Sequence, residues 1–570
     1  MKFIDFDVNK CDECFKCLRA CPTKAIAFTK NRRHIIDELC IKCGLCQLEC
    51  PQDALTIKLD LQVVKNAIMA GKRVVASIAP SFAGAFPIST PGQMPSALKE
   101  LGFYSVEETA RGAEIVSELY EKDIKESKAK NIITSCCPSS NDLIRRYYPN
   151  VLPYVIPVVS PMLAHGFDLK ARYGKETVVV FIGPCLAKKA EAMEITDSID
   201  AVITFKELEK WFSETGIEIE KCDTISFDTP TSKRGKAYPL GGSLWKKDLE
   251  TRINPKYQYI HIDGIENCKT FLSSLASGQL SGYCVELNIC TNSCINGPDM
   301  PKASGNVYQR RDQLRQYVVQ SSEDKGFVPV TVDVEHFRRG FTEQEISHPK
   351  INDHQVSEVL IEMGKYTDKD QLNCGACGYS SCYDKAVAIV KGHSSIDMCL
   401  DRLRHKAESL QAIIFDNSPN AICILDNECR IQEVNPAFNN IFNASKIKLT
   451  YWPIAAFIDD TIFDEITNTK QYRLSKKIYV PEVSRTFFSN VVSIQGGNIL
   501  VGIFTDITDA EHSKEELERV KEETLVTCQE VIEKQMRVAQ EIASLLGETT
   551  ADTKIGLNKL KKLVLTNGGN

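Results

Sequence analysis

At 570 residues, 43% hydrophobic and 25% charged, the chain is long enough for several hydrophobic cores, which excludes a tail or a linker protein. A formal charge of −6 gives no basic excess to meet nucleic acid, and no window is apolar for long enough to span a bilayer. The opening MKFIDFDVNKCDEC lacks the basic start and apolar run of a signal peptide, so the expectation is a soluble, cytoplasmic protein whose 23 cysteines serve metal rather than disulfides.

Residues 11–22 and 40–51, CDECFKCLRACP and CIKCGLCQLECP, are two copies of C-x2-C-x2-C-x3-C-P, a spacing by which short loops wrap thiolates around a [4Fe–4S] cubane. Zinc ribbons would show paired C-x2-C knuckles without the third and fourth cysteines. To about Lys58 the segment resembles a bacterial two-cluster ferredoxin, whose task is to pass single electrons. In such a pair the fourth cysteine crosses over: Cys11, Cys14, Cys17 and Cys50 share one cluster, and Cys40, Cys43, Cys46 and Cys21 share the other. Pro22 and Pro51 end the loops and start a short helix or turn.

An α/β pattern of about 290 residues follows. RVVASIAP, NIITSCCP and TVVVFIGPC are β-branched runs that stop at turns, separated by helical stretches such as QMPSALKELGF and GAEIVSELY. Cys136, Cys137 and Cys185 stand immediately after two of those runs, where a parallel sheet opens its ligand-binding crevice. With Cys290 and Cys294 in ELNICTNSCINGP, three segments offer four thiolates for one more cubane: Cys137, Cys185, Cys290 and Cys294.

TSCCP, GPCLAKKAE and ELNICTNSCINGP look like the three signature loops of the [FeFe]-hydrogenase catalytic domain, and DAVITFKELEKW and PLGGSLW are similar to that family too. The resemblance, over roughly residues 60–320, implies that Cys294 bridges from the cubane to a two-iron subsite carrying CO, cyanide and an azadithiolate. It further implies that Lys188 hydrogen-bonds an iron cyanide and that the Cys136 thiol relays protons. The expected proton path would continue through Glu114 and Ser160, but Arg111 stands where its other acid belongs. Gly183 and Asn288 replace two methionines usual beside the two-iron subsite. Such departures resemble the sensory branch of the family.

NCGACGYSSCYDKAVAIVKG and the following DMC give C-x2-C-x4-C-x16-C, that is Cys374, Cys377, Cys382 and Cys399, similar to the small [4Fe–4S] domain of corrinoid iron–sulfur proteins. Its place after the hydrogenase-like domain marks it as an exit wire. FDNSPNAICILDNECRIQEVNPAF and NILVGIFTDITDAE look like a PAS domain, with Asp426 and Asn427 at a hairpin turn and Cys423 and Cys429 as packing residues of that hairpin. The PAS ligand is not legible. Leu517, Thr524, Val531, Val538 and Leu545 recur every seven residues in a charged helical stretch, with Lys521 and Gln535 weakening the heptad, and the tail LTNGGN is expected to fray. Cys222, Cys268 and Cys284 stand alone and read as packing residues.

The expected fold class is a multidomain α/β and α+β chain. A ferredoxin-like cluster domain occupies 1–60, an α/β hydrogenase-like domain with parallel-sheet lobes 61–350, a small [4Fe–4S] domain 351–410, a PAS domain 411–510, and a signalling helix with tail 511–570. Four [4Fe–4S] clusters are implied. The leading reading is a hydrogen-sensing or slow [FeFe]-hydrogenase that activates H2, moves protons and passes electrons through its clusters to a PAS signalling module. Beside it stand a ferredoxin-linked catalytic hydrogenase and an iron–sulfur electron-transfer protein lacking the two-iron subsite. Expected partners are a ferredoxin or other electron-transfer protein, a downstream kinase or phosphatase, and a second copy of the chain paired through the PAS domain and C-terminal helix.

Overall fold

Apolar runs without alternation, such as VVASI and VVVFIG, need cover on both faces, and here they form the inner strands of an all-parallel sheet. The computed structural model describes residues 3–29, 32–57, 59–243, 253–301, 305–321, 333–344, 346, 351–442, 444, 449–469, 471–494, 499–546 and 551–566. Leu244 and Trp245 of PLGGSLW and the last four residues of LTNGGN lie outside these; Leu565 and Thr566 end a helix, Ala551–Thr566. Two units are distinguished, Met1–Leu403 and Arg404–Asn570.

At the start of the first unit β1 (Ile4–Phe6) pairs antiparallel with β4 (Leu55–Ile57), and β2 (Ile26–Thr29) with β3 (Arg32–Ile35). The two cysteine loops trace one backbone path twice. Glu13, Phe15 and Lys24 have positive φ, as do Lys42, Gly44 and Asp53 at matching offsets in the second loop. These left-handed residues bend each loop back on itself, at a steric cost that only a fixed surrounding structure tolerates. After Cys21 and Cys50 the chain makes turns rather than helices.

Two parallel sheets follow. β5 (Val74–Ile78) lies between β6 (Ser105–Glu108) and β8 (Val178–Gly183), with β9 (Ala201–Thr204) beyond β8. β11 (Tyr283–Asn288) lies between β7 (Ile132–Ile133) and β10 (Gln258–Asp263). The strand expected in NIITSCCP contracts to two residues because Ser135 turns aside. Its N–H donates to Tyr120 Oη at 3.0 Å and its hydroxyl to the Val158 carbonyl at 2.6 Å. Cys268 and Cys284 are fully buried as expected, and Cys222 is partly exposed.

The helix Ala110–Glu126 crosses the helix Pro161–Tyr173 at Gly112, where an added Cβ would stand 1.9 Å from the Pro161 carbonyl oxygen and 2.9 Å from His165 Cβ. Helix propensity alone makes Gly112→Ala stabilising by about 1 kcal/mol. The contact reverses the sign, because backbone cannot yield as a side-chain tip can. Gly112→Ala is expected to destabilise the chain by about 2 kcal/mol or more, read as a lower unfolding midpoint; an unchanged or higher midpoint would contradict this crossing.

In the second unit an antiparallel sheet runs β13-β12-β16-β15-β14, with β12 (Ala421–Asp426), β13 (Ile431–Val434), β14 (Arg473–Val480), β15 (Arg485–Ile494) and β16 (Ile499–Asp506). Burial alternates along β15 and β16, as a sheet covered on one face requires. Buried Asn435 caps the helix Pro436–Ile441. Its Oδ1 accepts from the Ile422 and Phe438 N–H groups, and its Nδ2 donates to the Phe415 and Asn420 carbonyls. Cys423 is buried on β12, but Cys429 lies in the turn at φ 56° rather than on a hairpin strand; Asp426 Oδ1 accepts from the Glu428 and Arg430 N–H groups and closes that turn. The helices Leu400–Asn417 and Thr508–Leu546 run through the expected boundaries at 410/411 and 510/511. Among the described residues no helix is long and apolar enough to cross a membrane.

Candidate metal centre

Parallel strands present their carboxyl ends on one edge, and the structure uses that edge of both sheets. Cys136 and Cys137 follow β7, Cys290 follows β11, and Cys185 follows β8 across the crevice. Asn292 and Ser293, both at positive φ, turn the chain so that Cys294 faces the same space as Cys290. Cys137, Cys185, Cys290 and Cys294 thus line a single cavity of about 100 Å³, shared with Cys136 and Lys188. Cys294 is accessible to the cavity yet enclosed by protein. Burial, then the neighbouring thiols, pushes Cys185 up to about 11 and Cys290 and Cys294 well above the ordinary thiol range. A cationic iron core is what would hold such groups as thiolates. Ser81, 1% exposed on the cavity wall, has a buried hydroxyl without a partner among the described residues, so one donor there is free for a polar ligand. Donor set, enclosure and free hydroxyl fit a cubane with an attached polar group.

Lys188 Nζ donates to the Cys136 carbonyl at 3.3 Å and to Glu191 Oε2 at 2.9 Å, and the same oxygen accepts from Ser160 Oγ at 2.7 Å. Lys188 and Ser160 therefore meet on one buried carboxylate. Arg339 holds its other oxygen at 3.1 Å. The Cys136 thiol, 3.7 Å from Thr134 Oγ1, is pushed up to about 12 by burial, with Glu286 and Cys137 adding to the effect.

Glu286 also lines the cavity and is pushed up to about 7 by burial, partly offset by Asn288 Nδ2 and the Gly242 N–H, each at 3.1 Å. Asn288 in turn reaches His261 Nε2 at 3.1 Å, and Ser293 Oγ meets the same nitrogen at 3.0 Å. Asn288, where the resemblance implies a methionine, thus belongs to a polar network. At Gly183 an added Cβ would stand 2.7 Å from the Phe181 ring, which fills the space a larger residue would take. For Glu286 the folded chain holds its proton above the ordinary value of 4.5, so its contribution to stability is complete below pH 4.5 and is lost as pH rises through about 7. Glu286→Gln is expected to flatten that window, raising stability at pH 8 by about 3 kcal/mol relative to the parent with no gain at pH 4. Unfolding midpoints at the two pH values test it; an equal change at both would contradict the burial of an ionising carboxylate.

Arg111 and Glu114 share the helix Ala110–Glu126 but face different partners. Arg111, 1% exposed, pairs with buried Asp168 at 3.3 Å, and Asp168 also accepts from Arg172 Nε at 3.0 Å. Arg172 and His165 hold Glu107, whose carboxyl lies well below the usual range although burial alone would raise it. Glu114 accepts from the Ser232 N–H, and burial raises it. Ser160 and Glu114 are each engaged elsewhere rather than with one another.

The cysteines of the two N-terminal loops lie close together, with Cys17, Cys21 and Cys46 in one buried cluster. Beside burial, the charges acting on Cys17 are those of Cys11, Cys50 and Cys14, and those acting on Cys46 are those of Cys43, Cys21, Cys40 and Cys17. Backbone N–H groups of Ala25, Lys42 and Ala54 donate to the sulfurs of Cys21, Cys40 and Cys50 at 3.3–3.4 Å. Cys374, Cys377, Cys382 and Cys399 line one small cavity of about 20 Å³. Among the described residues no three His, Cys, Asp or Glu side chains converge on a single-ion site. A cubane needs no such convergence, since each thiolate takes a different corner iron.

Sequence reading passed over Glu191, Glu286 and Ser81. Glu191 stands three residues after Lys188 on a helix, a pairing distance that was legible, and Glu286 is an acid inside the apolar strand YCVELN. Nothing marks Ser81 before the fold is known.

Residues 72–298 match the model of the iron-only hydrogenase large subunit, C-terminal domain, residues 10–58 that of a 4Fe–4S dicluster domain, residues 370–400 an Fe–S cluster model, and residues 408–473 a PAS domain. Iron hydrogenase 1 of Clostridium pasteurianum is 27% identical over 385 residues, covering 55% of this chain and 67% of its own length. The NADP-reducing hydrogenase subunit HndD of Solidesulfovibrio fructosivorans is 24% identical over 380 residues, covering 53% and 65%. The chain thus spans about two thirds of the length of these relatives. An [FeFe]-hydrogenase structure from Chlamydomonas reinhardtii superposes with a TM-score of 0.42 at 18% identity, covering 51% of this chain and all of that one. The chain carries an [FeFe]-hydrogenase-like domain together with iron–sulfur cluster domains and a PAS domain.

Proposed function

We propose that the chain is a slow, hydrogen-responsive [FeFe]-hydrogenase whose PAS domain reports the redox state of four [4Fe–4S] clusters to a partner protein. The observation that carries this reading is the convergence of Cys137, Cys185, Cys290 and Cys294, from three separate segments, on one enclosed cavity. These residues would hold the cubane, with Cys294 bridging to a two-iron subsite of CO, cyanide and azadithiolate. When bound, that group supplies the heterolytic activation of hydrogen. The chain's own part is to bind, orient and exclude water. Lys188 and Ser81 offer donors to anionic ligands at the cavity wall, and Glu191 fixes the ammonium in place. Cys136 holds a proton at Sγ beside the cavity and hands it onward.

Low turnover follows from Arg111. A buried guanidinium tied to Asp168 cannot take up a proton as a relay acid does, which favours a sensor over a production enzyme. The apolar heptad positions Leu517, Val531 and Val538, all exposed in the single chain, suit pairing with a second copy, as the PAS domain would require to transmit a change. An electron-transfer protein and a kinase or phosphatase complete the expected circuit. The domain extents in this proposal are 1–60, 61–350, 351–410, 411–510 and 511–570.

Infrared spectra of anaerobic, cofactor-matured protein, recorded under argon and then hydrogen, test the reading. Metal-bound CO and cyanide bands that shift with hydrogen are the expected result. Full iron loading without any such band would leave an iron–sulfur electron-transfer protein instead.

A further inference from the structure

In chain order the cluster segment 370–400 follows the hydrogenase-like domain, but the fold seats it on the N-terminal dicluster segment. We propose that the Cys374/Cys377/Cys382/Cys399 set exchanges electrons directly with the Cys21/Cys40/Cys43/Cys46 set, making the latter a branch point with two separate exits. This rests on the ligand sets proposed above, though not on hydrogen chemistry.

Three observations carry it. First, the Cys40–Cys46 loop faces the hydrogenase-like cavity. Cys43 lines that cavity, and Lys42 pairs with Asp142 at 3.2 Å. Second, the segment 370–400 docks on the helix Lys16–Ala20 and on β2. Arg19 Nη1 donates to the Ala376 carbonyl at 3.1 Å, and the Phe28 N–H donates to the His393 carbonyl at 3.1 Å. Gly378 lies so close to Leu18 that an added Cβ would stand 2.9 Å from Leu18 Cγ, and its φ of +93° also favours glycine. Leu18, Phe28, Tyr379 and Met398 share one buried core. Third, Cys21 and Tyr379 lie in that same core, with Cys377 packed against it. Cys14, in the other N-terminal set, is exposed and so suits an outside protein partner.

The step moves one electron. The Cys40-containing set is oxidised by one unit and the Cys374-containing set reduced by one; no bond forms or breaks, and a buried apolar contact between the two holds their separation fixed.

The test uses the full chain with its [4Fe–4S] clusters but without the two-iron group, reduced by dithionite under argon and studied by continuous-wave and pulsed electron paramagnetic resonance. Beside the coupling between the two N-terminal sets, which Cys14→Ala removes, the parent should show a second spin–spin interaction that Cys374→Ala removes and Cys14→Ala leaves in place. Loss of the second interaction in Cys14→Ala, or its survival in Cys374→Ala, overturns the branch in favour of a serial wire. Gly378→Val keeps every cysteine and should weaken the interaction at least twofold by driving the segment off Leu18, whereas an unchanged coupling also overturns the proposal. Absent infrared bands with intact coupling would sink the hydrogen reading alone, and bands with coupling that depends on Cys14 would sink the branch alone.

Discussion

Cys294→Ala is expected to abolish the hydrogen-dependent infrared bands and hydrogen turnover, both below detection, while the electron paramagnetic resonance signals of the dicluster and Cys374 sets persist. The cavity gives the reason. Cys294 reaches it through a tight turn in which Asn292 and Ser293 both take positive φ, so the loop spends backbone strain on placing this one sulfur. The side chain is accessible to the cavity rather than packed into core, so truncating it removes a ligand at small cost in packing. A first ligand is worth more than the 10–100-fold effect typical of its supporting partners. The melting midpoint of the variant should therefore stay close to the parent's. Bands that survive in Cys294→Ala would remove the bridging role and with it the proposed function.

Much of this site was legible because cysteine spacing is a short-range signal. The repeated C-x2-C-x2-C-x3-C-P loops fold as two equal turns whose positive-φ residues recur at the same offsets. The β-branched runs became parallel strands, and their carboxyl edges brought three separate cysteine segments together. What stayed hidden is what depends on packing between distant segments. Neither the partner of Arg111 nor the meeting of Lys188 and Ser160 on Glu191 follows from any local pattern. The seat of segment 370–400 on the dicluster segment is of the same kind, since 357 residues separate Arg19 from Ala376. NIITSCCP keeps only a two-residue strand for a related reason, because the Ser135 N–H turns to Tyr120 Oη and its hydroxyl to the Val158 carbonyl rather than continuing the ladder.

The departures from the usual hydrogenase pattern also hang together physically. Gly183 leaves room that the Phe181 ring occupies, and Asn288 joins Glu286, His261 and Ser293 in a polar chain. A thioether at 288 would strand Glu286 with one fewer donor, and a larger side chain at 183 would displace an aromatic ring of the cavity wall. Each change is matched by its neighbours, so a single substitution toward the usual pattern meets a pocket built for the other residue.

Arg111→Glu is the strongest case of that rule. Restoring an acid to the relay position would be expected to speed proton delivery if the path alone decided the rate. The buried surroundings decide otherwise. Arg111 and Asp168 are each 1% exposed at the side chain, and Glu107 beside them is fully buried; Arg172, His165 and the Tyr173 hydroxyl also face these carboxylates. The substitution replaces a paired cation with a third buried acid and leaves Asp168 dependent on Arg172. Removing one partner of a buried pair costs about 3–5 kcal/mol, and a like charge adds to it. Arg111→Glu should therefore lower the melting midpoint by on the order of 10 °C and leave hydrogen turnover no faster than the parent. Arg111→Met, which removes the cation without adding an anion, should lose roughly half as much stability because Arg172 still holds Asp168. A stable, faster Arg111→Glu protein would show that Arg111 throttles a path otherwise intact. The geometry argues against that result: Ser160 already donates to Glu191, and Glu114 already accepts from Ser232, so a carboxylate at position 111 would find neither neighbour turned toward it.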